Sequence, residues 1–173
     1  MPFAEFDDVT IHYLDEGTAT GPALVLAHAL GTGTHLWDNV VPLLPPGLRV
    51  VRYDARGHGQ SSTPPAPYTM GALIRDAERL MDHLGLRDTI FVGLSVGGMV
   101  AQGLAVKRPD LVRALVLSNT GAKIGTPEIW AERIATARRP GGMEDLARGS
   151  CERWFPRAYV KAGHHQPWYE HLC

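Results

Sequence analysis

Cysteine is scarce in this chain. Only Cys151 and Cys173 occur in 173 residues, both late, and two such residues make no disulfide framework. They read as reduced thiols of a cytoplasmic protein, a bridge between them being the alternative. Neither lies in a Cys-x-x-Cys or Cys-x-x-His spacing, so no zinc site is expected. The adjacent pair His164-His165 points to different sides of any regular element and reads as exposed loop polarity, not as metal ligands. Excess charge is also lacking. A net charge of −1 gives no basic footprint for nucleic acid or for an anionic membrane surface. Apolar runs break within about nine residues, far short of the ~20 a membrane-spanning helix needs. The start of the chain, Met1 to Asp8, has neither a basic region nor an apolar stretch of the kind that forms a secretory signal.

What is present is ordinary globular material, 45% hydrophobic and 20% charged. The chain holds no internal repeat and no low-complexity segment, and its length suits one domain with a real core. Short apolar runs alternate with helical patterns, which predicts an α/β fold with a mostly parallel sheet flanked by helices. Val9–Leu14 alternates apolar and polar residues, as a half-exposed antiparallel strand does. Ala23–Ala27, Arg49–Tyr53, Thr89–Gly93 and Leu111–Leu117 read as buried strands. Helices are expected at Leu36–Leu44, at Thr69–Leu84 with its stripe Met70, Leu73, Ile74, Ala77 and Met81, and at Val96–Val106. After Gly121 the sequence turns helical and charged. The expected division is residues 1–121 as a sheet-bearing core and 122–173 as a helical segment.

Most of the chemical information lies in Gly93-Leu94-Ser95-Val96-Gly97, directly after one predicted strand and directly before a helix. A serine on so sharp a turn is held in strained backbone with its Oγ raised above the sheet, and the flanking glycines make room for it. The helix that starts there directs its first N–H groups and its dipole at any negative charge developing at the serine. Ser95 is thus the candidate nucleophile. The loop after the first central strand, His28-Ala29-Leu30-Gly31-Thr32-Gly33, is placed to supply a second backbone donor, so Leu30 and Val96 N–H are the expected oxyanion pair. His28 reads as packed behind that loop. Asp54-Ala55-Arg56-Gly57-His58-Gly59-Gln60-Ser61 gathers Asp, Arg and His but reads as a turn, with Asp54 accepting backbone N–H groups and Arg56 bracing neighbouring loops.

Together the His28–Gly31 loop, the Asp54–Ser61 turn and the Gly93–Gly98 elbow resemble the α/β-hydrolase superfamily over about Val9 to Leu117. A narrower similarity lies in Ser118 to Trp130, Arg133-Ile134 and Glu152 to Phe155, which resemble the start of the cap of 3-oxoadipate enol-lactonases and stop doing so after Tyr159. This resemblance implies an α/β-hydrolase fold that ends after the start of a helical cap. It also implies a small-molecule lactone or ester substrate, no cofactor and no metal. Ser95 would attack the lactone carbonyl and an acyl-enzyme would form. Trp130 and Arg133, three apart on one helix face, could wall the pocket and bind the substrate carboxylate; an ordinary amphipathic helix, with Trp130 packed and Arg133 solvated, is the other reading.

In that superfamily the acid and base follow the serine, beyond the cap. Asp110, Glu128, Glu144, Asp145, His164, His165 and His171 match neither position, so the triad Asp and His are not expected in this chain. Competing expectations are a generic esterase or peroxidase-like hydrolase on the same nucleophile, and a non-catalytic relic that only binds.

Overall fold

The computed structural model describes residues 2–173, which fall into two compact units, one reaching to Lys123 and one running from Ile124 to Cys173. The first carries a six-stranded sheet. Its strands are β1 (Phe3–Phe6), β2 (Val9–Gly17), β3 (Ala23–Ala27), β4 (Arg49–Tyr53), β5 (Thr89–Leu94) and β6 (Val112–Ser118), in the order β1-β2-β4-β3-β5-β6. β1 and β2 form an antiparallel hairpin, and β2 runs antiparallel to β4; β4, β3, β5 and β6 are mutually parallel.

The β-branched and apolar runs of the central strands are buried on both faces, as in any parallel sheet covered by helices. On one face Val25, Val51 and Phe91 pack with Ala77, Leu80 and Met81 of α1 (Met70–His83) and with Val100, Ala101 and Leu104 of α2 (Val96–Lys107). On the other, Leu24, Leu26 and Val50 pack around Trp37. α1 begins where Thr69 Oγ1 accepts the Ala72 N–H, an N-cap that satisfies one of the orphan donors of the first turn. Small residues let α2 approach closely: a Cβ on Gly103 would strike the Ile74 side chain of α1.

Three departures from the sequence reading have physical causes. No α-helix forms at 36–44; two 3₁₀ turns, Thr34–Trp37 and Val41–Leu43, stand there instead. Pro42, Pro45 and Pro46 remove the N–H donors that an α-helix over this stretch needs. β1 is an added strand, too short to show a period of its own and held by pairing Phe3 to His12 and Phe6 to Val9. β2 is also more deeply buried than its alternation implies, because the polar His12 faces inward. Among the described residues β6 ends the sheet, with Val116 and Leu117 about half exposed on it.

The second unit is helical: α3 (Pro127–Arg138), α4 (Gly142–Trp154), α5 (Arg157–Lys161) and α6 (Gln166–Leu172). α4 turns Ala147 and Cys151, one helical turn apart, to the inside of the unit, and Phe155 stacks on Tyr159 at 4.9 Å between ring centres. Cys151 and Cys173 are free thiols. Among the described residues no helix is long and apolar enough to cross a membrane.

The buried ion pair of Arg56 with Asp76, at 2.6 Å and with 6% and 1% of the two side chains exposed, ties the turn after β4 to α1. Asp76→Ala leaves a buried guanidinium without its bidentate partner and should lower stability by about 3–5 kcal/mol, whereas Asp145→Ala, which breaks an exposed pair with Arg139, should cost at most ~1 kcal/mol. Urea denaturation of both variants checks the contrast; equal losses would contradict it.

Candidate active site

The strand order sets the location. The chain passes from β3 to β4 on one side, then returns through α1 to β5 on the other, so the connections diverge between the neighbours β3 and β5. The carboxyl ends of two such strands leave a crevice between their outgoing loops, the usual ligand position in open parallel sheets. Ala27 pairs with Gly93 in this register, so the loop from His28 and the turn at Ser95 leave the sheet side by side.

Ser95 joins β5 directly to α2 and has φ 56° and ψ −115°, a conformation that costs a non-glycine residue about 1–3 kcal/mol. The surroundings hold it there. The Ser95 N–H donates to the Ser118 carbonyl at 3.0 Å, and its own carbonyl accepts from Thr120 Oγ1 at 2.6 Å and from the Gly98 N–H at 3.0 Å. The glycines are obligatory for packing. A Cβ on Gly93 would run into the Gly97 backbone, one on Gly97 into the Ala27 and His28 carbonyls, and one on Gly98 into the Thr120 side chain. Within the unit that reaches to Lys123, Ser95 Oγ makes no hydrogen bond among the described residues.

Two N–H groups open at the same end of the sheet. Val96 is the first residue of α2, so its N–H has no acceptor inside the helix. Leu30 is 48% exposed, and among the described residues its N–H has no acceptor. Its orientation follows from the other end of the same peptide unit. The Ala29 carbonyl accepts from His28 Nδ1 at 2.7 Å, from Thr32 Oγ1 at 2.8 Å and from the Thr32 N–H at 3.2 Å, all on the buried side. In a planar trans peptide the N–H points opposite to the C=O, so the Leu30 N–H is turned outward. Such a pair of open donors beside a helix N-terminus suits an oxygen that acquires negative charge.

Behind the loop lies a polar cluster. His28 is buried; its Nδ1–H donates to Ala29 O, so its Nε2 is free to accept the Ala55 N–H at 2.9 Å. Burial pushes its pKa down to about 4, and the neighbouring His58 adds to the shift, so His28 is neutral near pH 7. Asp54 accepts from His12 Nδ1 at 2.7 Å, the Thr34 N–H at 2.7 Å and the Gln60 N–H at 3.0 Å. Burial works to raise its pKa, yet these donors outweigh it and hold the carboxyl below the usual range. A Cβ on Gly59, at φ 51°, would collide with that carboxylate. Asp54, Arg56 and His28 are therefore structural here. His12 and Thr120 carry no motif of their own, and only the fold shows that they brace the site.

Trp130 and Arg133 lie on α3, in the other unit. The Trp130 Nε1–H donates to the Ile124 carbonyl at 2.8 Å, and the Arg133 guanidinium lies over the Trp130 ring at 5.0 Å from its centre. Arg133 has no carboxylate partner among the described residues. A separate cleft of about 370 Å³, lined in part by Arg49, Arg87 and Arg113, opens at the opposite, amino-terminal ends of the strands. Among the described residues no group of three or more His, Cys, Asp or Glu side chains is arranged to hold a metal ion.

Residues 22–149 match the model of the alpha/beta hydrolase fold family, and the chain belongs to that family. It is 35% identical over 154 residues to 3-oxoadipate enol-lactonase 2 of Acinetobacter baylyi, a match that takes in 89% of this chain and 57% of the relative. A solved hydrolase from Pseudomonas aeruginosa superposes with a TM-score of 0.93 at 40% identity, over 99% of this chain and 66% of that one. The enol-lactonase of Burkholderia xenovorans superposes with a TM-score of 0.89 at 36% identity, over 99% and 65%. The chain thus spans a little over half to two thirds of the length of these proteins.

Two outcomes follow. Ser95→Gly relieves the backbone strain and should raise stability by about 1 kcal/mol, read as an upward shift of the urea midpoint; a lower midpoint would contradict the strain. The second concerns pH. The His28 pKa is about 4 when folded against 6.5 when free, so the unfolded chain binds this proton more readily. Its contribution is complete above pH 6.5 and is lost as pH falls toward 4, about 2 kcal/mol of it by pH 5. His28→Gln should lose less stability between pH 7 and pH 5 than the unaltered chain; an identical loss would exclude His28 as the source.

Proposed function

We propose that Ser95 is the nucleophile of a carboxylic-ester hydrolase and that the substrate is an enol-lactone of the 3-oxoadipate type. The observation that carries the nucleophile is the strained Ser95 backbone at the strand–helix turn, clamped by Ser118 and Thr120 beside the open Leu30 and Val96 N–H groups. The similarity to a 3-oxoadipate enol-lactonase over 89% of the chain, and to a solved enol-lactonase over 99% of it, supports the substrate.

In this reading Ser95 Oγ adds to the lactone carbonyl carbon, and the oxygen that takes the charge is received by the Leu30 and Val96 N–H groups. Collapse expels the ring oxygen, which takes up the proton lost by Ser95 Oγ and leaves as the enol that becomes the 3-oxo group, and an acyl-enzyme remains. Water then cleaves that ester, so that lactone plus water gives 3-oxoadipate, a step in the degradation of aromatic compounds. No cofactor takes part. Arg133, its charge uncompensated by a carboxylate and its face set on Trp130, is the candidate for the substrate's carboxylate. His28 and His58 are committed to backbone groups of the loops and do not take the Ser95 Oγ proton.

A fluorophosphonate probe tests the nucleophile, and hydrolysis tests the substrate. Mass spectrometry should find one phosphonyl group on the peptide holding Ser95 and none in Ser95→Ala. Enol-lactone hydrolysis should exceed that of a simple aryl ester in kcat/KM, and Ser95→Ala should abolish that preference. Labelling with equal or better aryl-ester turnover would favour a generic esterase. An unlabelled Ser95 would favour a protein that only binds.

A further inference from the structure

His58 belongs to the turn after β4, yet it touches the loop on which the proposed oxyanion site depends. The Gly31 N–H donates to His58 Nε2 at 3.1 Å, and His58 Nδ1 lies 3.1 Å from the Arg56 carbonyl. A carbonyl only accepts, so Nδ1 carries the proton and Nε2 presents its lone pair to Gly31. The same tautomer recurs in His28, whose ring is 5.1 Å away, with Nδ1–H on Ala29 O and Nε2 on the Ala55 N–H. The two imidazoles therefore hold the peptide groups on either side of Leu30: His28 holds the carbonyl before it and His58 holds the N–H after it.

Gly31 has φ 79°, a conformation that glycine adopts freely, so it is a point of backbone freedom directly after Leu30. Thr32 and His28 fix the loop before Leu30, and the His58 acceptor fixes it at Gly31. We propose that His58 is a positioning residue, whose unprotonated Nε2 latches Gly31 and so holds the Leu30 N–H in place for the oxyanion. This rests on the reading of Leu30 as the oxyanion donor. Protonation of His58 would set two donors facing each other and open the latch. Besides His58, the titratable groups that act on His28 are Asp54, which accepts from His12 and from two backbone N–H groups, and His35.

The test combines NMR of the 173-residue chain with fluorophosphonate kinetics, on the unaltered protein, His58→Gln and His58→Phe. The Gly31 amide resonance of the unaltered chain should follow the protonation of the His58 ring, with a coupling across the N–H···N bond at high pH; in His58→Gln the amide should no longer titrate. His58→Phe should lower the maximal rate of Ser95 labelling about tenfold, below the 10²–10³ lost when an oxyanion donor is removed outright, with probe affinity unchanged. His58→Gln, whose amide oxygen can accept from Gly31, should recover most of that rate. A Gly31 amide indifferent to the ring's protonation, or a His58→Phe chain that labels at the full rate, would overturn the proposal. If even the unaltered chain takes no label, the nucleophile assignment fails by itself, and the Gly31 amide decides the latch.

Discussion

The contact of the Ser95 turn with the end of β3 is the constraint from which the rest of this arrangement follows. Gly97 rests against the Ala27 and His28 carbonyls so closely that no side chain could replace its hydrogen. That contact fixes how α2 leaves the sheet. It then forces the single residue between β5 and α2 into a left-handed conformation that serine tolerates only because Ser118, Thr120 and Gly98 hold both ends of its backbone. Strain at one residue is stable here because the surrounding packing over-determines it.

The same junction links strand register to chemistry. Pairing of Ala27 with Gly93 sets the β3 loop beside the turn, and the β3 loop is itself held from below by hydrogen bonds among polar, largely buried groups. Ala29 O collects donors from His28 and Thr32, while Asp54 collects donors from His12, Thr34 and Gln60. These bonds lie where solvent does not compete, so each is worth more than its surface equivalent and each fixes an orientation. The outward Leu30 N–H is a by-product of satisfying the inward Ala29 carbonyl.

Much of this was legible in the residues. Gly93, Ser95 and Gly97 announce a strand–turn–helix because no other local structure requires glycine at both places, and four central strands show as apolar runs bounded by turn residues. The Asp54–Ser61 segment was also readable as a turn, since Asp54 precedes glycines at 57 and 59. Other features were hidden for physical reasons. The stretch from Leu36 to Leu44 has helical spacing of apolar residues, but the prolines decide its backbone. β1 is stabilised only by its partner. The inward turn of His12, the clamp from Thr120 and the acceptor role of His58 are long-range, and no spacing rule encodes a contact between residues 49 or 27 positions apart. Trp130 and Arg133 share one helix face by their spacing, and the Arg133 guanidinium lies over the Trp130 ring.

The central claim is that Ser95 is presented to its substrate beside the Leu30 and Val96 N–H groups. A crystal structure of the chain after reaction with a fluorophosphonate tests it most directly. The account predicts a phosphonyl group on Ser95 Oγ with its non-bridging oxygen about 2.7–3.1 Å from both nitrogens. An adduct whose oxygen faces away from Leu30 and Val96, or an unmodified Ser95, would contradict it.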